Sequence, residues 1–188
     1  MHALFFEMRP KPGHLKHYFD HVARLRPSLA RNKGLVFLDR YGSLTDPGLL
    51  LSHQLWESED AIVAWRKDAE HRKAQAAGIK AHFVDYRIRV GRRVLHQKAA
   101  RTETHTLKIP NPEQTCVLAV YGGKPVLNPI FSAFKSFNHN DRFISLASFD
   151  SFSENDIRVM SALPDFDEIA AYSIRRDYGQ FDRTQAPC

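Results

Sequence analysis

Apolar and polar positions follow two different periods along the first half of the chain. Four segments rich in apolar, aromatic and β-branched residues read as strands. Between them, apolar residues recur at the three-to-four spacing of an amphipathic helix. The order is β-α-β-β-α-β, which is the ferredoxin-like arrangement. The predicted strands are 3–9, 35–44, 49–56 and 83–95, and the predicted helices are 14–31, 58–68 and 70–77.

Capping and turn residues mark the ends of these elements. Ser58 is a predicted N-cap, because its hydroxyl can accept a hydrogen bond from a free amide of the first helical turn. Glu59 and Asp60 then place negative charge at the positive end of the helix dipole. Residues 45–48 (TDPG) form a turn signal, so the second and third strands are expected to make a β-hairpin.

The second half echoes the first. A polar stretch, 97–114, separates a domain at 1–96 from a second unit at 115–188. In that unit we predict strands at 115–121 and 142–152, with a short amphipathic helix within 125–137. Residues 153–157 resemble 58–62, and residues 171–175 resemble 85–89. One of the four expected strands is not evident, so the second half is interpreted as a degenerate copy; an unrelated extension is the alternative.

Several separated motifs carry a family resemblance. The segments LWESEDAIVAW, EHRKAQAAG and VDYRIRV, with the hairpin before them, resemble the antibiotic biosynthesis monooxygenase family over about residues 3–96. Members of that family typically pair sheet to sheet as homodimers in an α+β barrel. The resemblance therefore implies an α+β fold in which tandem ferredoxin-like halves form that barrel within one chain, as an internal pseudo-dimer. A homodimer is kept as an alternative, because exposed strand edges of two chains could still pair.

The same resemblance implies chemistry. The family includes quinol monooxygenases that use no cofactor, haem-degrading enzymes and members without a known reaction. The first hypothesis is therefore a monooxygenase acting on a phenolic or quinol-like aromatic small molecule, with no cofactor and no metal. The second is a ligand-binding or scaffold protein that kept the fold and lost the reaction. Haem degradation is disfavoured, because Met8 and Gln75 stand where those relatives have an asparagine and an axial histidine.

Five residues are candidates for the site. In the family a tryptophan at the position of Trp65 often lines the substrate cavity, and an indole can stack on a flat substrate. His71 and His53 are the candidate bases, since histidine exchanges a proton near neutral pH. Tyr86 and Arg89 are candidate hydrogen-bond donors to a developing anion. Side chains alternate along a strand, but alternation alone does not say which face of the sheet meets the helices.

Other features narrow the functional class. The net charge is +6, concentrated in the first half, but the basic residues are scattered and no nucleic-acid partner is expected. The sequence has no apolar run long enough to predict a membrane span. It also shows no secretory signal pattern, so we expect a cytoplasmic protein. Three histidines recur on one side of the first helix, and a solvated face is favoured over a metal site there; they are His14, His17 and His21.

Overall fold

The computed structural model describes residues 1–98, the backbone of 105–106, and residues 114–150 and 166–187. The first half contains β1 (His2–Pro10), α1 (Leu15–Arg31), β2 (Leu35–Ser43), β3 (Leu50–Trp56), α2 (Glu59–Lys67), α3 (Ala69–Ala77), a π-helical turn (Gly78–His82) and β4 (Phe83–Lys98). The second half contains β5 (His105–Thr106), β6 (Cys116–Gly122), β7 (Ser132–Ser136), β8 (Phe143–Phe149) and β9 (Glu168–Gly179).

The first half agrees closely with the predicted element order. Its strands lie side by side in the order β4-β1-β3-β2, and all their pairings are antiparallel. Ser58 caps α2 as expected, accepting a hydrogen bond from the Ala61 amide at 3.2 Å. The first helix runs from Leu15 to Arg31 with Pro27 inside it.

The second half contains a strand where the sequence pattern predicts a helix. The helix prediction within 125–137 is wrong, because Ser132–Ser136 forms β7 and pairs with both β2 and β8. The four longer strands of this half lie in the order β9-β6-β8-β7, which repeats the order of the first half. The strand missing from the sequence interpretation is therefore β7. The echo at 153–157 lies outside the described residues.

Eight strands close into a barrel through two seams between the halves. On one side β4 pairs with β9 from Arg87 to Lys98. On the other side β2 pairs with β7 only from Tyr41 to Ser43. The fold is thus α+β, with one continuous sheet, and β5 extends it by pairing with β4 near Leu95.

Strand parity divides the side chains between two environments. Phe5, Leu51 and Tyr172 belong to a buried core inside the barrel, with residues of both halves. On the opposite face, Trp56 and Trp65 belong to a core between the first-half sheet and the helices. In the part of the chain that the structure describes, no helix is long and apolar enough to cross a membrane.

Candidate active site

Two successive helix caps position the candidate residues Trp65 and His71. Helix α2 ends at Lys67, and Asp68 immediately becomes the N-cap of α3, where its carboxylate accepts a hydrogen bond from the His71 amide at 2.9 Å. This sharp junction folds the side chain of His71 back over the preceding helix. The imidazole stacks on the Trp65 indole with ring centroids 4.2 Å apart and an interplanar angle of 14°.

The hydrogen bonding of His71 indicates its tautomer. Its Nδ1 lies 3.0 Å from the Trp65 carbonyl oxygen, which can only accept, so Nδ1 carries the proton. The Gln75 amide nitrogen is farther from the same atom, at 3.3 Å. Burial lowers the pKa of His71, and the ring is therefore neutral near pH 7. A neutral imidazole protonated at Nδ1 presents Nε2 as a proton acceptor.

An outer pocket lies between this stacked pair and the helix-facing side of the sheet. It encloses about 110 Å³ and is lined mainly by apolar side chains from β1, α2, β4 and the π-helical turn. Trp65, His71 and Tyr86 all line it, so the structure brings three of the five candidate residues together. Other lining residues include Phe6, Gln54, Ile62, Ile79, Phe83 and Val90.

Arginines from both halves surround this outer pocket. Arg183, beyond the end of β9, donates a hydrogen bond from Nη1 to the Tyr86 hydroxyl at 2.5 Å. Arg66 donates from Nη1 to the Tyr178 hydroxyl at 3.0 Å. A third pocket arginine, Arg176, is paired at 2.5 Å with the pocket carboxylate of Glu59. The arginines outnumber this carboxylate, so the pocket favours a ligand with negative charge.

His53 lies on the other side of the sheet, inside the barrel. It is fully buried, and its ring stacks on Phe5 with centroids 4.7 Å apart. Its Nε2 hydrogen-bonds the Tyr121 hydroxyl at 2.8 Å, and Tyr121 in turn contacts the Tyr172 hydroxyl at 3.2 Å. Burial lowers the pKa of His53 to about 3. Because the sheet separates it from the outer pocket, we leave His53 out of the proposed site.

Arg89 also faces away from the outer pocket. It is 3 % exposed, and its guanidinium pairs with Glu7 and donates to the Ser148 hydroxyl at 2.6 Å. Glu7 belongs to β1 and Ser148 to β8, so Arg89 ties strands of both halves together. Tyr86 and Arg89 lie on opposite faces of β4. The sequence does not show which face of the strand meets the helices, so it could not exclude Arg89 from the pocket.

A second cavity, of about 360 Å³, opens at one end of the barrel. Tyr41, Tyr121 and Arg142 are among its lining residues, with several carboxylates. Arg142 already lies 3.4 Å from the buried carboxylate of Asp39. This cavity is larger than the outer pocket, but none of the five candidate residues lines it.

Two comparisons with known proteins show the family to which the chain belongs. The family model described as antibiotic biosynthesis monooxygenase matches residues 1–77. A protein of Pyricularia oryzae named jasmonate monooxygenase ABM is 31% identical over 218 residues, covering 100% of this chain and 97% of that protein. The chain belongs to the antibiotic biosynthesis monooxygenase family. The family resemblance expected from the sequence is thereby confirmed.

Two solved structures were aligned with this family member. An aldoxime dehydratase superposes with a TM-score of 0.53 at 9% identity, over 92% of this chain and 80% of that chain. A structure of an anthrone oxidase-like protein aligns with 100% of this chain and 96% of its own, at 11% identity and a TM-score of 0.45. At such identities the aldoxime dehydratase likeness concerns the fold alone.

The pocket residues contributed by the second half were missed by the sequence analysis. Arg176, Tyr178 and Arg183 lie about a hundred positions from Trp65, and no motif connects them. The pairing of β4 with β9 brings them to the pocket. The only available signal was the echo at 171–175, which predicts a strand in this part of the chain but not its neighbour in the sheet.

Proposed function

We propose that the protein is a monooxygenase whose substrate binds in the outer pocket, and that this substrate is a small, mainly apolar molecule with one acidic oxygen group. The observation that carries the proposal is the Arg183–Tyr86 contact beside an apolar cavity. The apolar lining suits the body of such a molecule. The guanidinium and the phenol suit its anionic end.

A carboxylate is the favoured acidic group. A guanidinium presents paired N–H donors that match the two oxygens of a carboxylate. The Tyr86 hydroxyl accepts from Arg183, so its own proton stays available as a further donor to a bound oxygen. Jasmonate is a carboxylate with an apolar body, and the name of the fungal relative supports it as the first substrate to test.

A phenol or quinol is the second candidate, and His71 favours it. The neutral imidazole has Nε2 as the acceptor for a phenolic proton, and Trp65, which stacks on it, also lines the pocket. The resulting electron-rich anion could itself reduce oxygen, with one oxygen atom entering the product and the other leaving as water. In this scheme Arg183 would stabilise the phenolate.

Ligand binding tests the carboxylate assignment. Jasmonate and methyl jasmonate are titrated into the wild-type protein, Arg183→Gln and the exposed-site control Arg24→Gln. Loss of a charge-assisted pair costs about 1.5–3 kcal/mol, so Arg183→Gln should weaken jasmonate binding by about 10- to 150-fold. It should barely change binding of the uncharged ester, and Arg24→Gln should change neither. Equal effects on acid and ester would refute recognition of the carboxylate by Arg183.

Turnover separates the two substrate classes. Each substrate is incubated with the protein under ¹⁸O₂, jasmonate with an added reductant and the quinol without one. The mass of the product is then measured by mass spectrometry. A monooxygenase incorporates one heavy oxygen atom. Quinol turnover should fall at least tenfold in His71→Gln and stay unchanged in the exposed-histidine control His139→Gln. No labelled product from either class would contradict the proposed activity.

We also infer that the two sets of four strands are tandem copies that pair within one chain. The repeated strand order, β4-β1-β3-β2 and β9-β6-β8-β7, supports this inference. Because closure of the barrel occupies the edges of β2 and β4, the protein is expected to be a monomer in solution. Light scattering would test this, and an obligate dimer paired through its first-half sheet would contradict it.

A further inference from the structure

Four histidines gather on the surface of the first half, and none of them lines the outer pocket. His14, at the N-cap of α1, and His17 and His21 within it share one side of the helix. His82 ends the π-helical turn and lies among them. His82 is more than sixty positions farther along the chain, so the sequence alone does not group it with the other three.

Ring geometry places His82 at the centre of this histidine cluster. Its ring centroid lies 5.3 Å from that of His14, 5.1 Å from that of His17 and 5.5 Å from that of His21. The Nδ1 atoms of His14 and His82 are 3.0 Å apart. Two nitrogens bound tetrahedrally to one zinc ion at about 2.0–2.1 Å are about 3.3–3.4 Å apart. The pair, now at hydrogen-bonding distance, therefore needs to separate by only about 0.3–0.4 Å to share an ion.

The remaining two histidines supply further ligands by side-chain rotation. As the side chains stand, no three ligating groups converge on one point among the described residues. His17 is exposed and can turn about its χ angles without disturbing the core. His17 and His21 are four positions apart on one helix, which is the spacing that lets two imidazoles bind one zinc ion.

Only a neutral imidazole can ligate a metal ion, so zinc binding should weaken as the pH falls. The nearest carboxylate on the helix, Asp20, is hydrogen-bonded to Lys16 at 3.0 Å.

We propose that His14, His82 and at least one of His17 and His21 form a binding site for a divalent transition metal, with zinc as the ion that fits best. Imidazole nitrogen is a common zinc ligand, and a water molecule can complete a tetrahedral site. The bound ion would join α1 to the π-helical turn.

This link has a structural consequence. The turn carries Ile79 and is followed by Phe83, and both residues line the outer pocket. Lys11, just before α1, donates its amide to the His82 carbonyl at 2.8 Å, so the two segments already meet here. Metal binding would strengthen a wall of that pocket, and the zinc site does not depend on which substrate the pocket takes.

Zinc titration of the full chain, without an affinity tag, tests the site. Free zinc is followed with a competing chromophoric chelator for the wild-type protein, His82→Asn and the control His139→Gln. One zinc ion per chain is expected. Its affinity should be at least about 10-fold weaker in His82→Asn, because losing a ligand costs more than losing an outer partner that orients one, and unchanged in His139→Gln. If His82→Asn fails to fold, the double variant His17→Gln/His21→Gln, altered on the surface of α1, must show the loss instead.

Spectroscopy and stability provide independent readouts. Cobalt(II) in place of zinc should give the visible absorption of a tetrahedral nitrogen site in the wild-type protein and lose it in His82→Asn. Saturating zinc should raise the melting temperature of the wild-type protein by a few degrees, because a ligand that binds only the folded state stabilises it. No saturable site below about 100 µM zinc, or equal losses in His82→Asn and His139→Gln, would overturn the proposal.

Discussion

Replacing Asp39 by alanine should destabilise the weaker seam of the barrel. Asp39 is 2 % exposed and lies on β2, next to the short pairing with β7. Its carboxylate accepts hydrogen bonds from the Ser136 hydroxyl at 2.9 Å, the Asn138 amide at 2.7 Å and the Arg40 backbone amide at 2.8 Å. Ser136 and Asn138 belong to the second half, so this one side chain connects the two halves.

The magnitude follows from the number and kind of these bonds. A hydrogen bond to a charged group contributes about 1.5–3 kcal/mol, and removing one partner of a buried charged network costs about 3–5 kcal/mol. Arg142, at 3.4 Å and partly exposed, adds little. We expect Asp39→Ala to lower the free energy of unfolding by about 3 kcal/mol, or the melting temperature by roughly 6–12 °C in a chain of this size.

A matched surface carboxylate provides the control. Asp46 pairs with Arg9 at 2.5 Å, but both side chains are more than a third exposed. Asp46→Ala should therefore cost at most about 1 kcal/mol. Urea denaturation followed by circular dichroism measures both variants, and hydrogen exchange at β7 reports local opening of the seam. A loss for Asp39→Ala no larger than that for Asp46→Ala would refute the reasoning.

The same carboxylate predicts a pH dependence. Burial raises the pKa of Asp39, but hydrogen bonds from Asn138, Arg40 and Ser136 together lower it by more, so the net pKa lies below the usual 3.8. A carboxylate with a depressed folded-state pKa stabilises the protein above its unfolded pKa and loses that contribution as the pH falls through the folded value. Asp39→Asn should therefore show a smaller loss of stability on acidification below about pH 4 than the wild-type protein.

Two further predictions concern a glycine and a thiol. Gly34 has φ +150, and an added Cβ would lie 2.7 Å from Ala61 Cβ, so Gly34→Ala should destabilise the protein by about 2 kcal/mol or more in urea denaturation. Gly13→Ala, where φ is also positive but the space is open, should cost about 1 kcal/mol; equal losses would contradict the steric argument. Burial raises the pKa of Cys116 to about 12, so in a Cys188→Ser background iodoacetamide at pH 8 should label it at least about 100-fold faster after unfolding. Rapid labelling of the native protein would contradict the burial of this thiol.

Most of the first half was predictable from sequence because local signals agree there. Strand and helix periods, the Ser58 cap and the 45–48 turn all predict the arrangement that is observed. In the second half, the apolar residues between 130 and 137 fall by coincidence at helical spacing. In the structure Phe134 belongs to the core inside the barrel, Phe131 to a second core on the other side of the sheet, and Ile130 and Phe137 are exposed. One apolar set thus serves two cores, and periodicity alone could not separate them.

Only the part of the site at the junction of α2 and α3 was predictable from sequence. Trp65 and His71 are six positions apart, and the caps that bring their rings together are local. The face on which His53 and Arg89 lie depends on which side of the sheet receives the helices, and that is a tertiary property. His82 and Arg183 needed long-range pairing, since each meets its partner across more than sixty residues.

Closure of the barrel within one chain gives the outer pocket a composite origin. Its helices and floor come from the first half, whereas Arg176, Tyr178 and Arg183 reach it only because β9 lies beside β4. A fragment ending after β4 would retain Trp65 and His71, but it would lose two guanidinium groups and expose the edges of β2 and β4. In a symmetric dimer any change would appear in both subunits. Here the second half can change its contribution to one pocket independently, which makes this strand and the residues after it the natural place for a change in substrate preference.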